Sequence, residues 1–237
     1  MRIQRLVVAA AVSAIVVSDV TQPAEAGLIV YSSRAAFDAL GPITSIDWGV
    51  YGPAGTLIST PDFKTIDGLT FHGASSEGIL YRHDEGTDYT GDFAPGDYLL
   101  TESGSLSDTF IIGFDSTAVR GFGMQVEPYS ARGAWTGSID VYTPGNVLLG
   151  TIAIGGNKTG AEDNSAPFYG IVSDSADIGY ALFWVDQADP ALPSKAGDIA
   201  IDTTDVLVPE PSSLAIAGTA MLLCLFAFAG RTRRRRA

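Results

Sequence analysis

Apolar and polar residues alternate along most of the chain between Tyr31 and Leu207, in short segments bounded by Gly, Pro, Asp or Asn. This period of two is typical of half-buried β-strands, and in Gly121–Val126 the alternation is strict. The pattern predicts nine strands, at Ile43–Trp48, Leu69–His72, Asp108–Phe114, Val119–Val126, Gly137–Tyr142, Val147–Ile154, Phe168–Ser173, Tyr180–Val185 and Asp198–Val206. Because no long helical pattern supplies crossovers, we predict an all-β, antiparallel β-sandwich.

One short helix is predicted before these strands. Ser33 can cap the segment Arg34–Leu40, in which Phe37 and Leu40 share a face, and Gly41-Pro42 ends it. Further along, Thr143-Pro144-Gly145-Asn146 between two alternating segments predicts a hairpin turn.

The first 26 residues have the pattern of a secretory signal peptide. Arg2 and Arg5 precede the apolar stretch Leu6–Val17, and Ala24-Glu25-Ala26 forms a small-residue cleavage site. We therefore expect the mature protein to begin at Gly27. The twelve apolar residues are too few to span a membrane.

The last thirty residues, 208–237, combine three export features. Pro209-Glu210-Pro211 is expected to be extended, because proline restricts both itself and the residue before it. Leu214–Gly230 carries no charge, and as a helix it is about 26 Å long, just short of a typical hydrocarbon core. The arginine-rich end, 231–237, is expected to stay in the cytoplasm.

This tail resembles the PEP-CTERM sorting signal, which is also known as the ice-binding protein C-terminal domain. The resemblance implies recognition of Pro209, Glu210 and Pro211 by an exosortase, with a precursor anchored in the inner membrane by a transmembrane helix at 214–230. It also implies a mature form at the cell surface or in extracellular polysaccharide. Ice binding itself is not expected, since the chain has no regular Thr-x-Thr array.

The part between the export segments, 27–207, is long enough for one domain. It carries seven Lys and Arg against 24 Asp and Glu, a net charge of −17. Such a charge repels phosphate backbones and argues against nucleic-acid binding. The chain's one cysteine, Cys224, lies in the tail, so the exported domain has neither disulfides nor thiolate metal sites.

The layout of this domain resembles the jelly-roll, lectin-like domains of PEP-CTERM proteins. The resemblance rests on Phe37-x-x-Leu40, on Phe168–Ser173 and on Asp198–Asp202 just before the tail. It implies a sandwich fold and, by analogy, carbohydrate binding.

The loop Arg82–Asp97 holds five acidic residues and three glycines. Oxygen ligands in flexible geometry are what Ca²⁺ prefers, and Asp84, Asp88 and Asp92 are the predicted ligands. A solvated acidic loop without metal is the other interpretation.

Aromatic residues border the same loop and supply the predicted glycan contacts. An exposed ring covers the apolar face of a sugar while nearby carboxylates bind its hydroxyls. Trp135, Tyr89 and Phe93 are the predicted contacts, and Tyr98 also borders the loop. Burial in the sandwich core is the alternative for each ring.

Catalytic motifs are missing from the sequence. It contains no G-x-S-x-G and no H-E-x-x-H, and it has only two histidines, His72 and His83. We therefore expect a non-enzymatic exported protein that binds glycans. Two alternatives stay open: a glycan-active hydrolase with an acid/base carboxylate pair, and a structural or adhesive matrix protein.

Overall fold

A computed structural model describes residues 27–75, 79–102, 109–115, 118–130, 132–175, 177–186 and 199–208. The predicted signal peptide, the Pro209–Pro211 strip, the apolar segment and the arginine-rich end lie outside these residues. Within them, no helix has both the length and the apolar character needed to cross a membrane.

The described chain is built almost entirely from β-strands. Helix α1 spans Arg34–Asp38, and a 3₁₀ helix spans Trp48–Tyr51. The strands are β1 Leu28–Tyr31, β2 Ile43–Ile46, β3 Thr56–Ser59, β4 Asp62–Ile66, β5 Leu69–Ser75, β6 Ile79–Asp84, β7 Tyr98–Glu102, β8 Phe110–Phe114, β9 Gly121–Pro128, β10 Gly133–Tyr142, β11 Leu148–Lys158, β12 Phe168–Ser173, β13 Tyr180–Asp186, β14 Ile199–Ile201 and β15 Thr204–Leu207.

These strands form two antiparallel sheets. The first has nine strands, in the order β1-β12-β9-β14-β7-β6-β3, and β15 pairs with both β9 and β2. The second has six strands, in the order β11-β10-β13-β8-β5-β4. The predicted antiparallel β-sandwich is confirmed.

Apolar side chains from both sheets meet in one core. Phe122 of the first sheet lies against Phe114 and Phe183 of the second, with ring centroids 5.8 and 6.5 Å apart. Trp48 of the 3₁₀ helix packs edge-on against Phe71 at 5.8 Å. The main core cluster and the residues packed against it lie between Leu28 and Val208, so this part of the chain has a hydrophobic core of its own.

The nine predicted strands all correspond to strands of the structure, although their bounds differ, and the described residues contain fifteen strands. The predicted strand Asp198–Val206 is interrupted at Asp202, which turns inward. There the Asp202 carboxylate accepts from Gln125 N at 2.7 Å, and its main-chain oxygen accepts from Trp48 Nε1 at 2.6 Å. These bonds replace the sheet pairing that an unbroken strand would make.

Helix α1 lies where the sequence predicts it, but it ends at Asp38 rather than Leu40. Ser33 is its N-cap residue without donating or accepting a side-chain capping bond. The helix is instead held by Arg34, which pairs with Asp202 at 2.5 Å and also with Asp205. The hairpin turn after Tyr142 is confirmed, with Thr143 N donating to Val147 O at 2.9 Å.

Candidate functional site

The Asp92 carboxylate fastens the acidic loop after β6 to the segment that follows β11. The Asp92 carboxylate accepts from the N–H groups of Thr159, Gly160 and Ala161 at 2.6 to 2.9 Å, and from the Thr159 hydroxyl at 2.7 Å. Burial opposes ionisation, but these hydrogen bonds hold the pKa of Asp92 below its ordinary value. Asp92 is therefore a structural clamp between two loops.

A buried polar network lies beside this clamp. Lys158 Nζ donates to Tyr89 OH at 2.6 Å and to the main-chain oxygens of Pro128 and Tyr129 at 2.8 and 2.7 Å. Its partner Glu127 lies 3.4 Å away and also accepts from Tyr89 OH at 2.8 Å. Burial raises the pKa of Glu127, against the opposing effects of Lys158 and Tyr89.

Glu85 is a second buried carboxyl in the loop. Its Oε1 accepts from Gly91 N at 2.7 Å, whereas no group in the described part of the chain hydrogen-bonds its buried Oε2. Burial raises the pKa of Glu85 to about 7; the nearby Glu127 and Glu162 carboxylates add to this effect, while the bond from Gly91 and the charge of Lys158 oppose it. This carboxyl therefore titrates near neutral pH.

The three predicted calcium ligands are engaged by different protein groups. Asp84 pairs with Arg82 at 2.5 Å, while Asp88 accepts from Asp84 N at 2.7 Å and lies 2.9 Å from His83 Nδ1. Asp92 is the clamp described above. In the described residues, no three His, Cys, Asp or Glu side chains form a group that could hold a metal ion.

The three predicted glycan contacts are buried, so the expectation that they present exposed rings is wrong. Phe93 is fully enclosed, and the exposed fractions of Trp135 and Tyr89 are 3% and 6%. Trp135 faces the sandwich interior from β10, while Tyr89 and Phe93 pack together in the acidic loop at 6.1 Å. The Tyr89 and Phe93 rings stabilise the loop by packing there, and a buried ring cannot stack against a sugar.

Tyr98, the other aromatic residue at this loop, is 40% exposed and lines an open cleft. Leu80, Arg82 and Asp84 lie on one face of β6, since side chains alternate along a strand, and Tyr98 of β7 pairs directly with Asp84. Leu80 enters the core, so this face changes from apolar to charged at the rim of the sandwich.

The opposite wall of the cleft comes from the segment around the 3₁₀ helix. Asp47 caps this helix by accepting from Gly49 N at 2.8 Å. A Cβ on residue 49 would lie 2.8 Å from Tyr98 Cδ2, so only glycine lets the ring approach this closely. The loop Gly52-Pro53-Ala54 completes a cavity of about 650 Å³.

Arg82 is the chemically unusual group in the cleft. It is 97% buried, with its guanidinium carbon 4.3 Å from the centre of the Tyr98 ring. Arg82 Nη1 lies 2.5 Å from Asp84 Oδ1, but neither atom makes a hydrogen bond of acceptable geometry with any described group, and the same holds for Arg82 Nε. Buried donors and acceptors normally have partners. Arg82 and Asp84 therefore form an ion pair under the Tyr98 ring, and of the two side chains only that of Asp84, at 23% exposure, reaches the cleft to any extent.

The sequence analysis placed Arg82 and Asp84 in the acidic loop, whereas both lie on strand β6, and Tyr98 begins strand β7. Strand β6 was not predicted, because Arg82, His83 and Asp84 are atypical of strands. The usable signal was the β-branched, apolar and aromatic start of the strand, Ile79-Leu80-Tyr81.

Comparisons with solved structures find two carbohydrate-binding modules with low similarity. One is CsCBM6-3 from Clostridium stercorarium in complex with cellobiose, at 14% identity and a TM-score of 0.30, covering 65% of this chain and 95% of the other. The other is the family 11 module from Clostridium thermocellum in complex with a β-1,3-1,4-mixed-linked tetrasaccharide, at 9% identity and a TM-score of 0.21, covering 66% and 98%. Such TM-scores identify neither a shared fold nor a shared ligand. None of the curated proteins compared with the chain matches it.

The family comparison concerns the end of the chain. Residues 207–235 match the PEP-CTERM protein-sorting motif, in agreement with the resemblance noted from Pro209-Glu210-Pro211. The motif begins at the last residue of β15, so the sandwich leads directly into the sorting segment. It indicates an exported protein with a membrane-anchored precursor that is processed.

Proposed function

We propose that this protein is a non-catalytic glycan-binding module, delivered by an exosortase to the cell surface or the extracellular polysaccharide, and that it binds glycans in the cleft of Arg82, Asp84 and Tyr98. One observation carries the proposal. The Asp84 side chain, which is 23% exposed, and the exposed ring of Tyr98 line the same cavity of about 650 Å³, above the buried Arg82 guanidinium.

A sugar matches this arrangement because each hydroxyl both donates and accepts. A sugar hydroxyl can donate to the exposed part of the Asp84 carboxylate, and Tyr98 provides a rigid ring with a polar tip. Asp47 and Asp84 outnumber the single cation, so the cleft disfavours phosphate and other anions.

The cellular location supports the same proposal. A protein sorted by this type of signal reaches the extracellular matrix, where polysaccharide is abundant. The charge of −17 keeps the exported part soluble and away from nucleic acids.

Binding of residues 27–207 to the host's exopolysaccharide and to a glycan panel tests the proposal. Asp84→Asn keeps the shape of the side chain but exchanges an acceptor for a donor, and Tyr98→Ala removes the ring. We expect each variant to lose 10-fold or more in affinity, about the cost of one charge-assisted hydrogen bond. Asp67→Asn is the matched control, because residue 67 lies in a turn at a φ of 50° that asparagine tolerates.

The assay is run with calcium and with chelator, because Asp84 is both a predicted calcium ligand and a proposed glycan contact. A melting temperature that rises with calcium and is unchanged by it in Asp84→Asn would support a metal role. Saturable binding that Asp84→Asn and Tyr98→Ala leave unchanged would refute the cleft as the site.

A glycan-active hydrolase is the second candidate. The observation that favours it is the pair Glu85 and Glu127, two buried carboxyls with raised pKa values that influence each other. Neither residue lines the cleft. Release of reducing sugars from the host polysaccharide by the wild type, lost in Glu127→Gln, would establish a hydrolase.

A further inference from the structure

A second group of aromatic residues lies across the solvent face of the six-stranded sheet. Register places Phe63, His72, Gly113, Tyr180 and Tyr142 side by side on β4, β5, β8, β13 and β10. Phe63 is 52% exposed and lies 4.9 Å from His72, while Tyr142 and Tyr180 stack at 4.8 Å with their planes 5° apart. We call these five residues the aromatic row.

The aromatic row is interrupted by a pocket of about 430 Å³ above Gly113. A Cβ on residue 113 would lie 2.2 Å from His72 Cε1, so the imidazole rests directly on the glycine backbone. The turn after β10 forms another wall through Pro144 and Asn146, and Asn146 holds a φ of 61°. The pocket thus depends on a glycine at its base and a turn at its side.

Polar groups lie within the same pocket. Asp115 binds His72 Nδ1 at 2.5 Å and keeps about a third of its side chain exposed. Asn146 is exposed and carries both an amide donor and an amide acceptor. Aromatic faces flanking a few convergent polar groups are the usual composition of a saccharide pocket.

The charge of this face selects among glycans. Asp140 is its outward-facing charged residue on the described strands, and Asp115 lies at its border; no described strand position on this face carries Lys or Arg. Carboxylate or sulfate groups on a ligand would be repelled.

We infer that the aromatic row and its pocket form a second glycan-binding site, for polysaccharide strands without carboxylate or sulfate groups. The inference rests on the proposed function and extends it. The cleft of Arg82 lies at the rim of the first sheet, whereas the aromatic row lies on the outer face of the second. One molecule therefore holds two strands and cross-links the matrix.

The test compares binding to a neutral soluble glucan, to alginate and to short oligosaccharides from each, using residues 27–207, whose core is self-contained. Asn146→Gly removes the amide without backbone strain, because glycine adopts the same positive φ. Phe63→Ala removes an exposed ring at the sheet edge. Asp84→Asn disables the first site, and Asp67→Asn serves again as control.

Two sites on one polymer give avidity, so we expect Asn146→Gly and Phe63→Ala to lose about 100-fold in apparent affinity for the long neutral glucan. The affinity of the remaining site for short oligosaccharides should be unchanged. The wild type should also precipitate or gel the polymer, and each single-site variant should not. Alginate should bind at least 10-fold more weakly than neutral glucan.

The outcomes separate the two proposals. If the wild type binds no glycan, both are wrong. If Asp84→Asn alone abolishes all binding and Asn146→Gly and Phe63→Ala match the wild type, only the second site is refuted. Equal affinity for alginate and neutral glucan would overturn the charge selectivity assigned to this face.

Discussion

Replacing Glu85 with glutamine tests whether the acidic loop is held by a carboxyl that binds its proton more tightly in the folded state. Burial raises the pKa of Glu85 from 4.5 to about 7. Since the folded protein then binds more protons than the unfolded chain, protonation of Glu85 stabilises the fold. That stability is fully present below about pH 4.5 and is lost as pH rises through about 7.

The structure sets the size of the effect. Each tenfold change in proton affinity is worth about 1.4 kcal/mol, so the raised pKa gives an upper limit of about 3 kcal/mol for the whole window. Because the effective dielectric constant at buried sites in proteins is well above that of a dry interior, we expect less than this limit. We expect the wild type to lose about 1 to 2 kcal/mol relative to Glu85→Gln between about pH 5 and about pH 9.

Guanidinium unfolding of both proteins at each pH measures this difference, in which the titration of every other group largely cancels. Glutamine keeps the acceptor that Gly91 N uses but carries no charge at any pH. Asp67→Asn, at an exposed turn, should follow the wild type throughout. A free-energy difference between Glu85→Gln and wild type that is the same at both pH values would refute the reasoning.

Three further results are expected. Lys158→Met should lower the free energy of unfolding by about 3 to 5 kcal/mol, because it leaves the Glu127 charge buried without its partner. In a denaturant titration, the double variant Lys158→Met with Glu127→Gln should recover part of that loss. Gly113→Ala should displace the His72 ring and lower the free energy of unfolding by about 1 to 3 kcal/mol. An unchanged melting temperature together with unchanged His72 NMR shifts would contradict the close contact. In the native host, peptide mass spectrometry of the surface fraction should find no C-terminal peptide extending to Arg236, and finding one would contradict processing of the tail.

Where the structure departs from the sequence prediction, the cause is tertiary. The sequence left open whether Trp135 and Tyr89 contact glycans or are buried, and the fold places Trp135 in the sandwich interior and packs Tyr89 against Phe93 of the acidic loop. Asp92 was predicted to bind calcium, yet its oxygens bind the main chain of a loop about 67 residues away in sequence. Neither contact leaves a local pattern, because each partner lies in a distant part of the chain.

The sequence by itself determined the fold class and indicated the export of the protein. Strand periodicity depends only on neighbouring residues, and the sorting motif at 207–235 is a local string that another protein reads. Only the tertiary structure decided which polar residues share a cleft, since Arg82, Asp84 and Tyr98 meet through the register of two strands joined by the acidic loop. Likewise, the aromatic row exists only after five strands have paired, because its rings come from segments that no sequence spacing connects.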